Sequence, residues 1–269
     1  MEENNINRLF IKTTEFFRLS ETKTLDDLDL PSTTALHSNI IQKKTFLKKI
    51  YIDFYNQFKR ALKSNINTKV IVELGSGGGF IKKIIPHAIT SDIVSSKELD
   101  IVFSGLHIPF KDKKIAAFVM VDVLHHINDV RSFFKELNRC LKVSGKIIMI
   151  EPANTLLGGY IWRCFHHEPF DPSGGWGFEK EGRLSSANGA IPYIVFCRDR
   201  QQFEKEFPSF KVLKMKSHTP FRYIVSGGVS IRQLLPSFTY NIVKGIELIL
   251  SPLNKYYGMF LTIELEKVS

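Results

Sequence analysis

VIVELGSGGGF, residues 70–80, runs from branched apolar side chains through a single acid, Glu73, into Gly75, Ser76, Gly77, Gly78 and Gly79. A chain that needs a core gives up side chains only where its backbone must turn sharply or be approached closely by something else. The apolar run before the glycines has the length and texture of a buried strand.

Three more runs share that texture: AITSDI (88–93), IAAFVMVDV (115–123) and KIIMIEP (146–152). They are rich in Val and Ile and apolar on both faces, as in parallel strands covered by helices. Between the last two lies DVRSFFKELNRCL (129–141), where Val130, Phe134, Leu137 and Leu141 share one helical face and Arg131, Lys135 and Asn138 the other. Alternating strands and helices predict an open α/β sheet with right-handed crossovers.

Upstream, residues 1–68 read as a helical cap, with Leu36, Ile40, Phe46, Leu47, Ile50, Phe54 and Phe58 at helical spacing, in the position of a lid. Lys43, Lys44, Lys48 and Lys49 between them read as a solvated face in preference to a site for an anionic substrate. Downstream of Pro152, Asn154–Asn188 reads as a functional loop region with one short helix, and Arg198–Phe207 as a helix. FKVLKMKSH (210–218) and YGMFLTIELEK (257–267) alternate as an antiparallel pair at the edge of the sheet. TYNIVKGIELIL (239–250) sets Ile242, Val243, Ile246, Ile249 and Leu250 against Asn241, Lys244 and Glu247. That apolar face is expected to pack on the sheet or cap, with contact to a membrane surface as the alternative.

At 269 residues, with 43% hydrophobic and 24% charged residues, the chain is expected to fold as one domain: cap 1–68, core 69–152, and a substrate cap with C-terminal strands over 153–269. Cys140, Cys164 and Cys197 are far apart and form no CxxC, which argues against a disulfide framework or a zinc knuckle. The acidic start MEENNINRLF is unlike a secretory signal, and no 18-residue apolar run follows. A cytoplasmic protein is expected, with peripheral contact at the inner face of a membrane as an alternative and no obligatory protein partner. The net charge of +10 favours anionic partners, but without a dense basic block a solvated surface is the preferred reading.

What the glycines are for is decided by what surrounds them. A phosphate-binding P-loop needs Lys and Ser or Thr after the glycines, where this chain has Phe80 and Ile81. A dinucleotide fingerprint needs a third glycine where Phe80 stands, which weakens that alternative without removing it. The acid-x-G-x-G-x-G pattern is met by Glu73, Gly75, Gly77 and Gly79. In this the chain resembles class I S-adenosylmethionine-dependent methyltransferases. Asp92 follows Glu73 by 19 residues, where a second strand can present a carboxylate to ribose hydroxyls. GLHIPF (105–110), LHH (124–126) and ELNRCLKVSG (136–145) are similar to later motifs of the type 11 subgroup that includes quinone-biosynthesis enzymes. The resemblance runs from Lys69 to Pro152.

It implies a Rossmann-like, doubly wound and mostly parallel seven-stranded sheet with an antiparallel C-terminal edge strand and helical caps. It also implies S-adenosyl-L-methionine as cofactor, held by Glu73, Gly75, Ser76, Gly77 and Gly79, with Asp92 on the ribose. The following helix N-terminus would meet the cofactor's carboxylate, and Glu73 its ammonium. The family's adenine-binding acid falls on Ser104, so Ser104, Gly105 and Leu106 would make that contact; the usual acid opening the fourth strand is Ala116.

Methyl transfer from a sulfonium needs positioning and desolvation above all, with a base only for a hydroxyl, phenol or carbon acid. Asp122 and His126, after the fourth strand, and His166 are the candidates, with Asp122 also able to meet the cofactor's ammonium. FHHEPFD (165–171) suggests no metal, because adjacent histidines diverge on a regular element. VDVL stands where amino-methylating nucleic-acid enzymes often carry an N/D-P-P-Y type motif, so nucleic acid is disfavoured. The expected acceptor is a small molecule or a lipid- or glycan-linked oxygen. A quinone-like carbon, or an NAD(P)-dependent oxidoreductase of the same fold, is the alternative.

Overall fold

The computed structural model describes residues 17–23, 30–62, 69–166, 168–178 and 186–269. Readings that fall on 1–16, 24–29, 63–68, His167 and 179–185 lie outside the described residues.

Among the described residues there are seven strands: β1 Ile71–Leu74, β2 Ile89–Asp92, β3 Ile101–Val102, β4 Ile115–Val121, β5 Leu141–Pro152, β6 Phe210–His218 and β7 Phe260–Lys267. They lie in the order β3-β2-β1-β4-β5-β7-β6, so the sheet's order reverses between β1 and β4. The pairings β1–β2, β2–β3, β1–β4 and β4–β5 are parallel, whereas β7 runs antiparallel to both β5 and β6. All four side chains of β1 are buried, which is why the sequence shows a continuous apolar run there in place of alternation.

The antiparallel pair sits at the sheet's end as expected, with β7 one place in from the edge and β6 outermost. Position explains their burial: β7 is covered along nearly its whole length, while β6 is mostly exposed or half-buried. Tyr257 precedes β7 in a helical turn, Asn254–Tyr257.

The flanking helices follow the apolar spacing. Helices α1 (Pro31–Lys43) and α2 (Thr45–Ala61) form the N-terminal cap, and α2 buries Phe46, Leu47, Ile50, Phe54, Tyr55 and Phe58. Helix α3 (Val130–Cys140) starts at Asp129, whose side chain accepts from the Ser132 N–H, and buries Val130, Phe134 and Leu137 as the periodicity requires. Its Phe134 packs on Phe203 and Phe207 of the segment after the loop region, with ring centroids 5.1 and 5.6 Å away. The short helix of the loop region is α4, Leu156–Phe165, and α5 spans Arg200–Glu206. Helices α6 (Phe221–Ser226) and α7 (Tyr240–Ile249) complete the C-terminal part.

Three expectations are corrected. The helix expected after the glycine loop is only a 3-10 turn, Ile81–Lys83; the loop consumes the connection and Pro86, which lacks an N–H, blocks continuation. Lys44 is not on a solvated face. Its Nζ donates to the Gly228 and Ile231 carbonyls (2.6 Å for the latter), and burial lowers its pKa to about 8.

The third correction is α7, which is turned inside out relative to its apolar pattern. Tyr240, Val243 and Glu247 face inward, while Ile242, Ile246 and Ile249 face out. Glu247 is buried because it accepts from the Phe221 and Arg222 backbone N–H groups (2.8 and 2.7 Å) and pairs with the Arg222 guanidinium. Among the described residues no helix is long and apolar enough to cross a membrane.

Candidate functional site

The site forms where the sheet's order reverses, beyond the carboxyl ends of β1 and β4, the usual crevice of open α/β sheets. Gly75 and Gly77 adopt φ of +60° and +45°, a region that costs a side-chain-bearing residue strain. A Cβ on Gly75 would also lie 2.5 Å from Val123 Cγ2.

This loop is stitched to β2. Ser76 N–H donates to the Ser91 carbonyl at 2.8 Å, Ser91 Oγ donates to the Glu73 carbonyl at 2.7 Å, and Gly77 N–H donates to Asp92 Oδ2 at 2.9 Å. Helix α1 closes over it, since a Cβ on Gly78 would come within 2.6 Å of Ser38 N.

A cavity of about 540 Å³ opens beside this loop. Asp92, Ser104, Gly105, Leu106, Asp122 and His126 line it, together with Thr34 and His37 of α1. It is continuous in its lining with a second chamber of about 180 Å³, because Gly75, Gly77, Asp122 and His126 border both. The second chamber is walled by aromatic side chains, among them Tyr51, Phe54, Trp162, Tyr223 and Phe260, and by Glu73, His166 and Glu168.

Glu73 is buried, with 3% of its surface exposed, and its Oε2 has no hydrogen-bond partner among the described residues. Burial pushes its pKa to about 8, against side-chain hydrogen bonds with Ser76 and Tyr55; the neighbouring Asp92 charge adds to the rise. A buried carboxyl group that lines a chamber and has one oxygen without a partner among the described residues is suited to a cation, whose charge would draw it into the ionised form. Because the folded pKa lies above the unfolded one, the unfolded chain binds fewer protons between pH 4.5 and about 8, so stability falls as pH rises through that window. Urea unfolding at pH 6 and pH 8 is expected to show this loss, and Glu73→Gln to reduce it; an identical pH slope in the variant would reject the assignment.

Beyond β4 the chain turns at Asp122, a non-glycine residue at φ +54°; strained backbone of this kind collects at functional sites. Burial raises the Asp122 pKa to about 8, with His125 opposing and Glu151 and Glu168 adding. The turn is held by Glu151 at the end of β5: its Oε1 accepts from Val123 and Leu124 N–H (2.9 and 2.8 Å) and its Oε2 meets His125 Nδ1 at 2.7 Å. Against the desolvation of burial, the carboxylates of Glu151 and Glu168 hold the His125 pKa well above the usual imidazole value. Glu168 is held below the carboxylate range, its desolvation outweighed by His125.

Glu168 gathers three imidazoles: His125 Nε2 at 3.3 Å, His126 Nε2 at 3.5 Å and His166 Nδ1 at 3.5 Å. His126 Nδ1 lies 3.3 Å from the Ser186 carbonyl, its Nε2 faces the Glu168 carboxylate, and the ring borders both cavities. The donor atoms of His125, His126 and Glu168 lie within 4.8 Å of one another. Sequence spacing pointed only at the neighbouring His166 and His167, and divergence on one element is no bar when ligating groups come from two loops.

Residues 72–149 match the family model described as a methyltransferase domain. The chain carries a methyltransferase domain. S-Adenosyl-L-methionine is the methyl donor of this enzyme class, and the unpaired Glu73 oxygen beside a glycine loop suits a cationic cofactor. No curated protein matches the methyltransferase in sequence. Among solved structures, it is similar to a methyltransferase of Thermotoga maritima described as a possible histamine N-methyltransferase, at 14% identity and TM-score 0.49, covering 87% of this chain and 99% of that one. It is also similar to geranyl diphosphate C-methyltransferase from Streptomyces coelicolor A3(2), at 13% identity and TM-score 0.48, covering 86% and 84%. A methyltransferase of Archaeoglobus fulgidus stands at 14%, 0.48, 81% and 94%. Likeness this distant carries no acceptor over.

The methyltransferase brings the sequence-predicted residues together in two groups. Gly75, Gly77, Asp92, Ser104, Gly105, Leu106 and Asp122 line the larger cavity, and Glu73, Ser76, Gly79 and His166 the smaller. Asp92 carries a second task that spacing did not show: its oxygens accept from Gly77 and Val94 N–H (2.9 and 3.2 Å). The Asp92 carboxylate therefore shapes the glycine loop itself.

Missed by sequence reasoning were Glu151, His37, Tyr51, Tyr55, Trp162 and Tyr223. Tyr51 and Tyr55 had a signal, since they fall four apart on α2 beside the apolar positions. Burial, ahead of the charges of Asp122 and Glu73, pushes the Tyr51 hydroxyl well above the usual phenol pKa.

Proposed function

We propose that the methyltransferase acts on a hydroxyl oxygen of a small or lipid- or glycan-linked acceptor held in the aromatic chamber, with His126 as general base. Its position carries this reading: the His126 imidazole borders both cavities, with the Glu168 carboxylate 3.5 Å from Nε2 to stabilise the ring once it has gained a proton. When bound, the cofactor supplies a methyl group on a sulfonium and departs as a neutral thioether.

Glu73 and Gly75–Gly79 would receive the cofactor's methionyl end, Asp92 its ribose, and Ser104, Gly105 and Leu106 its base. As the acceptor oxygen forms its new bond to carbon, His126 Nε2 takes the hydroxyl proton, and Glu168 stabilises the resulting imidazolium. Asp122, neutral below about pH 8, would donate to the acceptor and not compete as a base at pH 7. The aromatic walls exclude water that would otherwise solvate the nucleophile.

Incubation with label-bearing S-adenosylmethionine and extracts split into lipid, glycan, RNA and small-molecule fractions tests this. A methyl ether in the lipid, glycan or small-molecule fraction is expected. A carbon-bound methyl favours the quinone-like alternative, and label in RNA alone overturns the acceptor class.

Asp92→Ala is expected to weaken S-adenosylhomocysteine binding by about 1–3 kcal/mol, through lost charge-assisted hydrogen bonds and a loosened loop. Unchanged affinity by calorimetry would reject the ribose role.

A further inference from the structure

We propose that the outer face of α7 and the turn that follows it docks the methyltransferase on an anionic lipid bilayer. The outward orientation of this apolar face is imposed from within. Glu247, on the opposite side of α7, is 5% exposed and is held by Arg222 and two backbone N–H groups. Tyr240 donates to Asp53 Oδ2 at 3.0 Å, and the Arg222 guanidinium donates to the Tyr240 hydroxyl at 2.7 Å. The helix cannot roll its isoleucines inward without burying unpaired charges, which costs more than exposing them.

The exposed residues are large and lie together. Ile242 is 61% exposed, Ile249 79% and, one turn before the helix, Phe238 79%. The band continues through Leu253 and Tyr256 on the turn after α7. That turn packs beside α4, where Thr155 Oγ1 donates to the Gly258 carbonyl at 2.8 Å. Leu156 and Tyr160 of α4 extend the band outward, while Trp162 and His166 on the other side line the smaller chamber. A contiguous apolar surface of this kind on a soluble fold marks a contact site.

Charge names the occupant. Across residues 219–258 the sole acid is Glu247, which is buried against Arg222. The cations near the apolar band are Arg232 and Lys255, with Arg163 on α4 and with Lys244 paired to Asp53 at 3.0 Å, and residues 153–165 contain no acid. Lys255 lies 4.8 Å over the Tyr256 ring, a stem along an apolar surface with its head at the rim. Isoleucine, leucine and aromatic side chains flanked mainly by cations, with Lys255 and Arg163 beside the turn and α4, match an apolar interior behind anionic headgroups, the pattern of a helix lying in an interface. A second copy of this face would set cation against cation. The docking does not depend on the acceptor assignment, and its test reads binding without turnover.

The full chain is sedimented with phosphatidylcholine vesicles and with vesicles that contain phosphatidylglycerol as well. Binding to the anionic vesicles is expected, weakened by salt, with at least a tenfold loss in Ile242→Glu/Ile249→Glu. Both positions are exposed, so the variant should keep the wild-type unfolding midpoint. Equal binding of the folded variant and wild type overturns the proposal, as does absence of binding to anionic vesicles. A concentration-dependent dimer that the variant dissolves also overturns it, assigning the face to a second copy. Should the variant fail to fold, Lys255→Glu with Arg232→Glu gives the same readout through charge alone: unchanged anionic-vesicle binding overturns the proposal, and a loss supports it.

Discussion

Glu151→Ala is expected to cost the fold about 3–5 kcal/mol, because it leaves a buried charge and two buried N–H groups without their partner. Glu151 is completely buried, and its carboxylate closes the turn after β4 through Val123 N–H, Leu124 N–H and His125 Nδ1. Each contact lies at 2.7–2.9 Å, so no water substitutes without rearrangement. Glu151→Gln keeps one carbonyl oxygen for the two N–H groups but loses the charge beside His125, and an intermediate cost follows.

The His125 contribution has a definite sign with pH. Its folded pKa is raised, so the stabilisation is complete below about pH 6.5 and is lost as pH rises through the folded value. The glutamine variant should therefore lose less stability above pH 6.5 than the wild type. Urea midpoints from pH 6 to 9 measure both effects; a cost under about 1 kcal/mol for alanine would show that the turn holds without Glu151.

His126→Ala is expected to lower kcat by about 10²–10⁴ for a hydroxyl acceptor while leaving S-adenosylhomocysteine affinity unchanged. The imidazole borders both cavities, and Glu168 at 3.5 Å favours the proton it takes up. Small added imidazoles should restore part of the lost rate, since the side chain leaves a space beside Glu168. A drop below threefold would remove His126 from proton transfer and leave the smaller chamber as a positioning device alone. If the rate falls together with cofactor affinity, the loss belongs to the shared wall of the two cavities and not to the base.

Much of this molecule was legible along the chain because the deciding forces are local. Glu73, Gly75 and Gly77 declare a strand end and a left-handed turn; the structure places both glycines at positive φ, and Asp92 within reach of the loop. The burial of β1, most of β4 and the second half of β5 on both faces follows from uninterrupted apolar runs. Even the missing helix after β1 had its signal in Pro86.

Long-range pairing decided the rest. The outward face of α7 depends on Arg222, 25 residues before Glu247, and an ion pair of that span leaves no trace in helical periodicity. The imidazole cluster likewise draws His125 and His126 from the β4 turn, Glu151 from β5 and His166 and Glu168 from the segment after α4. Periodicity and spacing record what each residue meets within a few turns of its own element. Which charges share one low-dielectric pocket is settled only when the sheet brings separate strand ends to the same edge, since the cost of burying each charge is repaid by partners far along the chain.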